Sequence, residues 1–366
     1  MARVLIVGGY GNAGWRVAEG LLRDSDAELM LAGRNPGRAT QLAATLPIDR
    51  RGRVSFRRLD ATDAQAVAAA LDDIDLLIVA AGSTRVCLAC ARAAISRATD
   101  YLDIQFNHAK ERVLAELRGQ FVAAGVVAVT EGGFHPGVPG AMIRLMASCV
   151  PGLARARVSS VIEVDWASLG VLSDSTVSEI TDQVADFRMA ELADGHWRKS
   201  TRRMKVDFGA PFGIRKVVPM DLPELHEVAD SLPQLRQVGF YVGGFGPVID
   251  TAVLPLVWMA TRIPSERAAA AGGRLLVASL RRFSKPPFGT VLQLDGGLPG
   301  GPDRTLMRVG HADAYLLTAE PAVSAAQMIL AGPAHPPGLY RQASFVEPVT
   351  FFRDIEAAGV NVEIFG

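Results

Sequence analysis

The first 130 residues alternate between short apolar runs and segments with a helical spacing of apolar residues. The apolar runs predict strands at 4–7, 28–32, 54–59, 74–79, 101–104 and 126–130. Between them, alanine-rich segments repeat apolar residues three and four positions apart, as on one face of a helix. Strands that alternate with helices predict an α/β fold, here a doubly wound parallel Rossmann sheet.

The pattern changes after residue 150. Strand-like runs follow at 155–166, 204–208, 215–218 and 291–295, and the segment 175–193 predicts an amphipathic helix. This mixture predicts a second domain of the α+β class. We therefore expect the Rossmann sheet in a domain at 1–150, a second domain at 151–319, and C-terminal helices and a strand at 320–366 that pack back on the first domain.

The most apolar part of the chain lies at 239–263. Its glycines and prolines, with Asp250 and Arg262, interrupt any run of the roughly 18 to 20 apolar residues that a transmembrane helix needs. We expect a buried helix and loop that line a pocket or a dimer interface, and no integral membrane segment. Peripheral contact with a membrane is the alternative.

Composition narrows the classes of partner. The 366 residues carry 38 Lys and Arg against 38 Asp and Glu, so no excess of positive charge indicates a nucleic acid, and the expected partner is a small molecule. Three cysteines and the absence of a signal-like N-terminal segment favour the reducing cytoplasm. Cys87 and Cys90 lie three apart in a helical stretch with no second pair or nearby histidine, so we interpret them as buried thiols and expect no metal.

A glycine turn follows the first predicted strand. Gly9, Gly11 and Gly14 form the spacing G-x-G-x-x-G between strand and helix, the arrangement that binds the pyrophosphate of a dinucleotide. Gly9 permits the turn, Gly11 leaves room for the phosphates, and Gly14 lets the helix pack closely on the strand. The intervening positions are also assigned to cofactor binding, namely Tyr10, Asn12 and Ala13.

The residues after the second strand indicate which dinucleotide is bound. An acidic residue there would bind the ribose hydroxyls of NAD, but the chain has Arg34 and Asn35, with Arg38 one turn further on. Because a guanidinium matches a 2′-phosphate in charge and geometry, the sequence predicts NADP. An ordinary solvated loop arginine is the alternative for Arg34.

Two later strand ends complete the predicted cofactor site. Asp60 follows the third strand and could accept a hydrogen bond from the adenine amino group. Ala81 and Gly82 follow the fourth strand and are small enough for the cofactor to lie across them. Each of these residues could equally be a plain loop terminus.

Proton-transfer chemistry is expected beyond the fifth and sixth strands, where the nicotinamide would lie. The candidates are Asp103, Lys110, Glu131 and His135. His135 is preferred because its ordinary pKa lies near neutrality and its loop is rich in glycine and proline. Alternatively, His135 braces the loop, Asp103 caps the next helix and Lys110 lies on that helix's surface.

Four motifs together resemble the saccharopine dehydrogenase-like oxidoreductases: VLIVGGYGNAG, LAGRN, YLDI and GGFHPGVPGAMIR. The resemblance is specific over roughly residues 1 to 150 and looser beyond. It implies hydride transfer between NADPH and an imine, amine or carbonyl centre, with substrate contacts and a homodimer surface in the second domain. His135 stands where the better-known amino-acid enzymes of this family tend to have an aspartate. This difference argues against saccharopine itself as the substrate. A non-catalytic NADP-binding sensor or scaffold is the alternative function.

Overall fold

A computed structural model describes residues 1–168, 174–246, 248–263, 265–332 and 335–366. The chain forms two compact units, Met1–Ala141 with Tyr315–Gly359, and Met142–Ala314 with Val360–Gly366. The predicted fold class, a Rossmann sheet followed by an α+β domain, is confirmed by the two sheets described below.

Seven parallel strands form the sheet of the first unit within the described residues. In chain order they are β1 (Arg3–Val7), β2 (Glu28–Gly33), β3 (Val54–Arg58), β4 (Leu76–Val79), β5 (Asp100–Asp103), β6 (Val127–Thr130) and β15 (Gly338–Arg341). Their order across the sheet is β15-β6-β5-β4-β1-β2-β3, the doubly wound arrangement with a seventh strand added beside β6. All six strands predicted from the apolar runs are present. The central strands β1 and β4 are apolar on both faces because helices cover both sides of the sheet.

The helices of this unit connect and cover those strands. They are α1 (Asn12–Asp24), α2 (Pro36–Ala43), α3 (Ile48–Arg51), α4 (Ala64–Ala68), α5 (Thr84–Arg97), α6 (His108–Glu116), α7 (Arg118–Ala123), α13 (Ala314–Leu330), α14 (Gln342–Phe345) and α15 (Pro348–Ala357). α8 (Val138–Cys149) begins in the first unit and ends in the second. α13, which follows most of the second unit in the chain, packs closely on α1, since a Cβ atom on Gly20 of α1 would lie 2.7 Å from Val323 of α13.

A mixed sheet of nine strands forms the second unit in the part of the chain described. Its strands are β7 (Arg155–Glu163), β8 (Ala190–Ala193), β9 (His196–Lys199), β10 (Met204–Asp207), β11 (Ile214–Met220), β12 (Gln237–Gly243), β13 (Gly289–Gly297), β14 (Arg304–His311) and β16 (Asn361–Ile364). β12 and β7 pair in parallel and the other pairs are antiparallel. The helices are α9 (Asp174–Ala185), α10 (Pro223–Ser231), a π-helical turn (Ile249–Val253), α11 (Leu254–Arg262) and α12 (Glu266–Phe283).

One prediction for this unit is wrong, and a second is wrong in part. The helix expected at 175–193 ends at Ala185, and Ala190–Ala193 is strand β8, because pairing with β9 and β12 outweighs the local helical spacing. The segment 239–263, predicted as a helix and loop, begins instead as strand β12 and continues into α11. Val253 and Val257 are buried as predicted, whereas Leu256 and Met259 are exposed, and a place in a pocket or dimer interface stays a prediction. An apolar run without a polar face does not show which of its sides is covered. No described helix is long and apolar enough to cross a bilayer.

Candidate functional site

The glycine turn links β1 to α1 through very close backbone contacts. Gly8 has a φ of +80°, and a Cβ atom there would lie 2.8 Å from the carbonyl oxygen of Ala80, just past β4. A Cβ atom on Gly14 would lie 2.4 Å from the carbonyl oxygen of Gly8, so the helix can pack here only without a side chain. A Cβ atom on Gly11 would meet only that oxygen, at 3.1 Å, and would otherwise point into open space.

The start of α1 is suited to an anion. Gly11 is its N-cap and provides no side chain to cap the helix, and the first turn contains no acidic residue. The first N–H groups of a helix lack partners within it and carry the positive end of the helix dipole. Together with the space beside Gly11, this geometry fits the pyrophosphate of a dinucleotide.

Tyr10 has a structural role in the same turn. Its ring is buried and lies under Gly33, where a Cβ atom would come within 2.6 Å of the ring. The hydroxyl lies 3.0 Å from the carbonyl oxygens of both Leu31 and Arg57 and can donate its single hydrogen to either one. The side chain therefore joins β2 to β3 and leaves only the backbone of Tyr10 facing outward.

The predicted 2′-phosphate residues follow β2. Arg34 and Arg38 are exposed, and Arg38 donates to the side-chain oxygen of Asn12 at 3.0 Å, which connects this loop to the start of α1. Asn35 accepts a hydrogen bond from the N–H of Gly37 and caps α2. Asp60 accepts hydrogen bonds from the N–H and hydroxyl of Thr62, which hold its pKa below the ordinary value, with Arg34 adding a smaller effect.

Three strand ends meet beside the turn, as the sequence predicted. The N–H of Ile104 donates to the carbonyl oxygen of Val79 at 3.3 Å, and the N–H of Gly132 donates to that of Asp103 at 2.7 Å. The loops that contain Ala81–Gly82, Asp103 and His135 therefore lie along one edge of the sheet, where folds of this type bind ligands.

Asp103 and Lys110 form a buried ion pair at this edge. The ammonium of Lys110 lies 2.6 Å from one oxygen of Asp103 and 2.8 Å from the hydroxyl of Thr130, and also donates to the carbonyl oxygen of Gln105. The other oxygen of Asp103 accepts from the hydroxyls of Tyr101 and Thr130 at 3.0 and 2.9 Å. Burial, the largest effect, would by itself lower the pKa of Lys110, but the charges of Asp103, Cys87 and Glu131 and the hydrogen bond to Asp103 together raise it.

This pair rules out two of the alternatives considered from the sequence. Asp103 does not cap α6, because the side chain of Asn107 accepts from the N–H groups of Ala109 and Lys110. Lys110 does not lie on the surface of α6, because its side chain is only 1% exposed. A lysine in a helical segment gives no local sign that the carboxylate it needs lies seven residues earlier.

Glu131 is the most unusual residue of this edge. It has a φ of +62° and a side chain that is 1% exposed, and burial raises its pKa to about 7. The nearest cation is Arg341, whose Nε lies 3.4 Å from the carboxylate and whose Nη2 also pairs with Glu111 of α6. Left-handed backbone at a residue other than glycine is costly and is found preferentially at functional sites.

Nothing in the sequence indicates that Glu131 and Arg341 are partners. The two residues are adjacent because β15 pairs with β6 in parallel, which places Arg341 beside Thr130. The sequence of Gly338–Arg341 could have suggested a seventh strand, but it could not have shown that this strand pairs with β6.

His135 lies two residues beyond a short turn that follows Glu131. The residue as a whole is half-buried, and its ring contacts the ring of Phe134 edge-on at 4.9 Å. Burial lowers the pKa of His135 to about 4, so the imidazole is neutral at neutral pH. The expectation of an ordinary pKa near neutrality is therefore wrong, because the loop removes water from the ring.

The remaining candidates for metal or redox chemistry do not form a site in the part of the chain described. Cys87 and Cys90 are buried free thiols, as interpreted from the sequence. Burial raises the pKa of both thiols, that of Cys90 to about 12, so neither is a ready thiolate. The described residues contain no cluster of three or more histidine, cysteine or acidic side chains placed to hold a metal.

The N-terminal region matches a known family. Residues 4–129 match the family described as the saccharopine dehydrogenase NADP binding domain, which supports a nicotinamide dinucleotide as the cofactor of this region. No curated protein matches the chain by sequence.

One solved structure shares the fold over the whole chain, and two others are similar at lower scores. The apo saccharopine dehydrogenase (L-Glu forming) from Saccharomyces cerevisiae is 15% identical with a TM-score of 0.69, and the match covers 100% of both chains. A substituted meso-dapdh from Clostridium tetani with DAP is 14% identical with a TM-score of 0.49 and covers 96% of each chain. GenD2 from gentamicin A biosynthesis, in complex with NAD, is 15% identical with a TM-score of 0.45, and covers 100% of this chain and 96% of that one. At these identities the first likeness establishes the fold, and the other two add no argument.

Proposed function

We propose that this chain, whose residues 4–129 belong to the saccharopine dehydrogenase NADP-binding family, is an NADP-dependent oxidoreductase. It would transfer a hydride between NADPH and an imine, amine or carbonyl centre of a small metabolite. The observation that carries the proposal is the carboxyl edge of the first sheet, where a dinucleotide turn and a buried group with a pKa of about 7 occur together.

The residues present fit NADP. The open space beside Gly11 and the N–H groups at the start of α1 would hold the pyrophosphate. The exposed guanidiniums of Arg34 and Arg38 would bind the 2′-phosphate. Ala81 and Gly82 offer a small-residue surface for the cofactor to cross, and one free oxygen of Asp60 could accept from the adenine. The bound nicotinamide supplies or takes the hydride.

His135 is proposed to polarise the substrate. A neutral imidazole can donate an N–H hydrogen bond to the oxygen or nitrogen of the reacting C=O or C=N bond. As the hydride and its electron pair reach carbon, that heteroatom becomes more basic and takes a proton from solvent. The low pKa of His135 favours this hydrogen-bonding role over proton donation by an imidazolium.

Asp103, Lys110 and Glu131 are proposed as positioning residues because their side chains are too deeply buried to meet a substrate. The Asp103–Lys110 pair fixes the ends of β5 and β6, from which the His135 loop leaves. Glu131 would control the charge beside that loop, since its pKa of about 7 lies in the working range of an enzyme. The pH dependence of the reaction should then follow Glu131 and not His135.

A screen of cyclic imines, keto acids with amines, and unsaturated carbonyl compounds, read out by NADPH consumption, tests the proposal. With a substrate in hand, His135→Ala should lower kcat by roughly 10² to 10³, the range for loss of one polarising hydrogen-bond donor, and leave NADPH affinity nearly unchanged. His135→Asn keeps an N–H donor and should recover part of the loss. The wild-type rate should show a pH dependence near neutrality that persists in His135→Asn and disappears in Glu131→Gln.

Two outcomes would overturn parts of this proposal. Full activity in His135→Ala would remove the polarising role and leave His135 as a residue that braces its loop. Tight NADPH binding without turnover across the whole screen would favour a sensor or scaffold over an enzyme.

A further inference from the structure

An apolar helix face is exposed on the second unit. On α11, the side chains of Leu256, Trp258, Met259 and Ile263, the last at its C-terminal end, are between 46% and 55% exposed. The opposite face is well covered, since Val257 is completely buried against α12. Contiguous large apolar side chains are uncommon on the surface of a soluble protein and mark interaction sites.

The neighbouring helix α12 carries a line of cations. Arg267, Arg274 and Arg281 are exposed and seven residues apart, which places them on one side of the helix. Arg282 and Lys285 extend the positive charge at its C-terminal end, and no acidic residue occurs between positions 267 and 294. In a chain with a formal net charge of zero, this excess of positive charge is a local property.

The apolar face and the cations belong to one helical hairpin. A Cβ atom on Gly272 of α12 would lie 3.1 Å from the side chain of Ala260 of α11, so the two helices pack at close range. Leu275, one turn from Gly272, is 42% exposed and extends the apolar face of α11 onto α12. At the other side of α11, the guanidinium of Arg262 lies 4.6 Å above the ring of Trp258. We call these exposed side chains of α11 and α12 the hairpin surface.

We propose that the hairpin surface docks the protein on an anionic lipid bilayer, with the apolar face of α11 entering the headgroup region and the arginines of α12 contacting lipid phosphates. Interfacial helices combine an apolar face with a cationic one in this way, and tryptophan is favoured at the boundary between water and lipid. Nine residues of α11 are too few to span a bilayer, so the contact is peripheral.

Charge favours lipid over a second copy of this chain. A two-fold interface places the same surface on both partners, which would bring the arginine line of one copy towards that of the other. Like charges across an interface oppose association, whereas anionic headgroups neutralise them. The neutral overall charge argues against a nucleic acid, although the cations alone would attract one.

Co-sedimentation with vesicles tests the proposal, using phosphatidylcholine alone and phosphatidylcholine mixed with phosphatidylglycerol. The full chain should bind the mixed vesicles, and added salt should release it. Replacing three arginines, Arg274→Gln, Arg281→Gln and Arg282→Gln, should weaken that binding by roughly a hundredfold, at about fivefold per cation. Leu256→Gln with Met259→Gln should remove binding that remains at high salt.

A matched pair of exposed residues on α15 controls for general surface effects. Val349 is 61% exposed and Arg353 is an exposed arginine, and both lie in the first unit. Val349→Gln with Arg353→Gln should leave vesicle binding unchanged. Circular dichroism should show every variant folded, because all the changed side chains are exposed.

Fluorescence gives an independent readout of the same contact. The emission of Trp258 should shift to shorter wavelength with mixed vesicles and be quenched by brominated lipids, and Trp258→Phe should lose both effects. Equal binding to neutral and anionic vesicles, or binding that survives both sets of substitutions, would overturn the proposal. A concentration-dependent doubling of mass that Leu256→Gln with Met259→Gln abolishes, without any vesicle binding, would assign the surface to a second copy instead.

Discussion

At the β2 end of the first sheet the charged residues Arg34 and Arg38 are exposed, whereas at the β5–β6 end Asp103, Lys110 and Glu131 are almost completely buried. Exposed cations add little to the stability of the fold and are available to a phosphate. Buried charges have lost their hydration and depend on one another for compensation. Substitutions at the first end should therefore change ligand affinity, and those at the second should change folding and its dependence on pH.

Removing one member of the buried pair should have the largest effect. Lys110→Met leaves Asp103 enclosed without its cation, and the free energy of unfolding should fall by about 3–5 kcal/mol in urea denaturation. Lys110→Met combined with Asp103→Leu should recover much of that loss, because neither side chain is then charged. Arg38→Ala, at the exposed end, should change the stability by less than about 0.5 kcal/mol. A Lys110→Met variant as stable as the wild type would show that the buried pair does not govern folding.

Glu131 and His135 should affect stability with opposite dependence on pH. The pKa of Glu131 is raised to about 7, so its contribution is present at low pH and is lost as the pH rises through about 7. The pKa of His135 is lowered to about 4, so its contribution is present above its ordinary pKa of 6.5 and is lost as the pH falls through about 4. Each effect is on the order of 3 kcal/mol, and they oppose one another between the two ordinary pKa values.

Urea denaturation over a series of pH values separates the two contributions. Relative to the wild type, Glu131→Gln should become more stable as the pH rises from about 4.5 to 7, and His135→Phe should become less stable from about 4 to 6.5. Ionisable groups elsewhere contribute equally to all three proteins and cancel in the differences. Stability curves that run parallel to the wild type would mean that neither pKa is shifted by folding.

Within the glycine turn, Gly14 is needed for folding and Gly11 is needed for cofactor binding. Gly14→Ala would place a methyl group 2.4 Å from the Gly8 carbonyl oxygen and should cost about 1–3 kcal/mol of folding stability. Gly11 has an extended backbone, and there is open space where a side chain would point. Gly11→Val should therefore fold normally, but its side chain should exclude the pyrophosphate. Denaturation and calorimetric titration with NADPH distinguish the two. NADPH binding by folded Gly11→Val would show that the turn serves packing only.

Arg34→Ala tests the β2 end of the first sheet, where the charged residues are exposed, and should have the smallest effect of these substitutions. Loss of a charge-assisted hydrogen bond to the 2′-phosphate should weaken NADPH binding by roughly 1 to 3 kcal/mol and scarcely affect NADH. Nicotinamide fluorescence measures both affinities, and Arg353→Ala, an exposed arginine on α15, serves as the control. Equal weakening of NADPH and NADH would argue against the assignment of Arg34 to the phosphate.

The parts of the molecule that could be predicted from sequence are those with local causes. The strand, glycine turn and helix from Arg3 to Asp24 follow from residues within one short segment, as do the six strands of the Rossmann sheet. The pairing of Glu131 with Arg341 joins positions far apart in the chain, and the low pKa of His135 depends on how its loop is enclosed. The exposure of α11 was missed for a related reason, since hydrophobicity alone does not indicate what covers a helix.

The position of β15 at the edge of the first sheet also constrains how the protein is made. During synthesis, β1 to β6 emerge first, the residues of the second unit up to Ala314 follow, and Gly338–Arg341 emerges after them. Until then the growing chain has an open edge at β6, a site for mispairing with other chains, and Glu131 and Glu111 lack their shared arginine. The ribosome must therefore synthesise residues 142–314 of the second unit before the proposed catalytic edge can acquire its final charge.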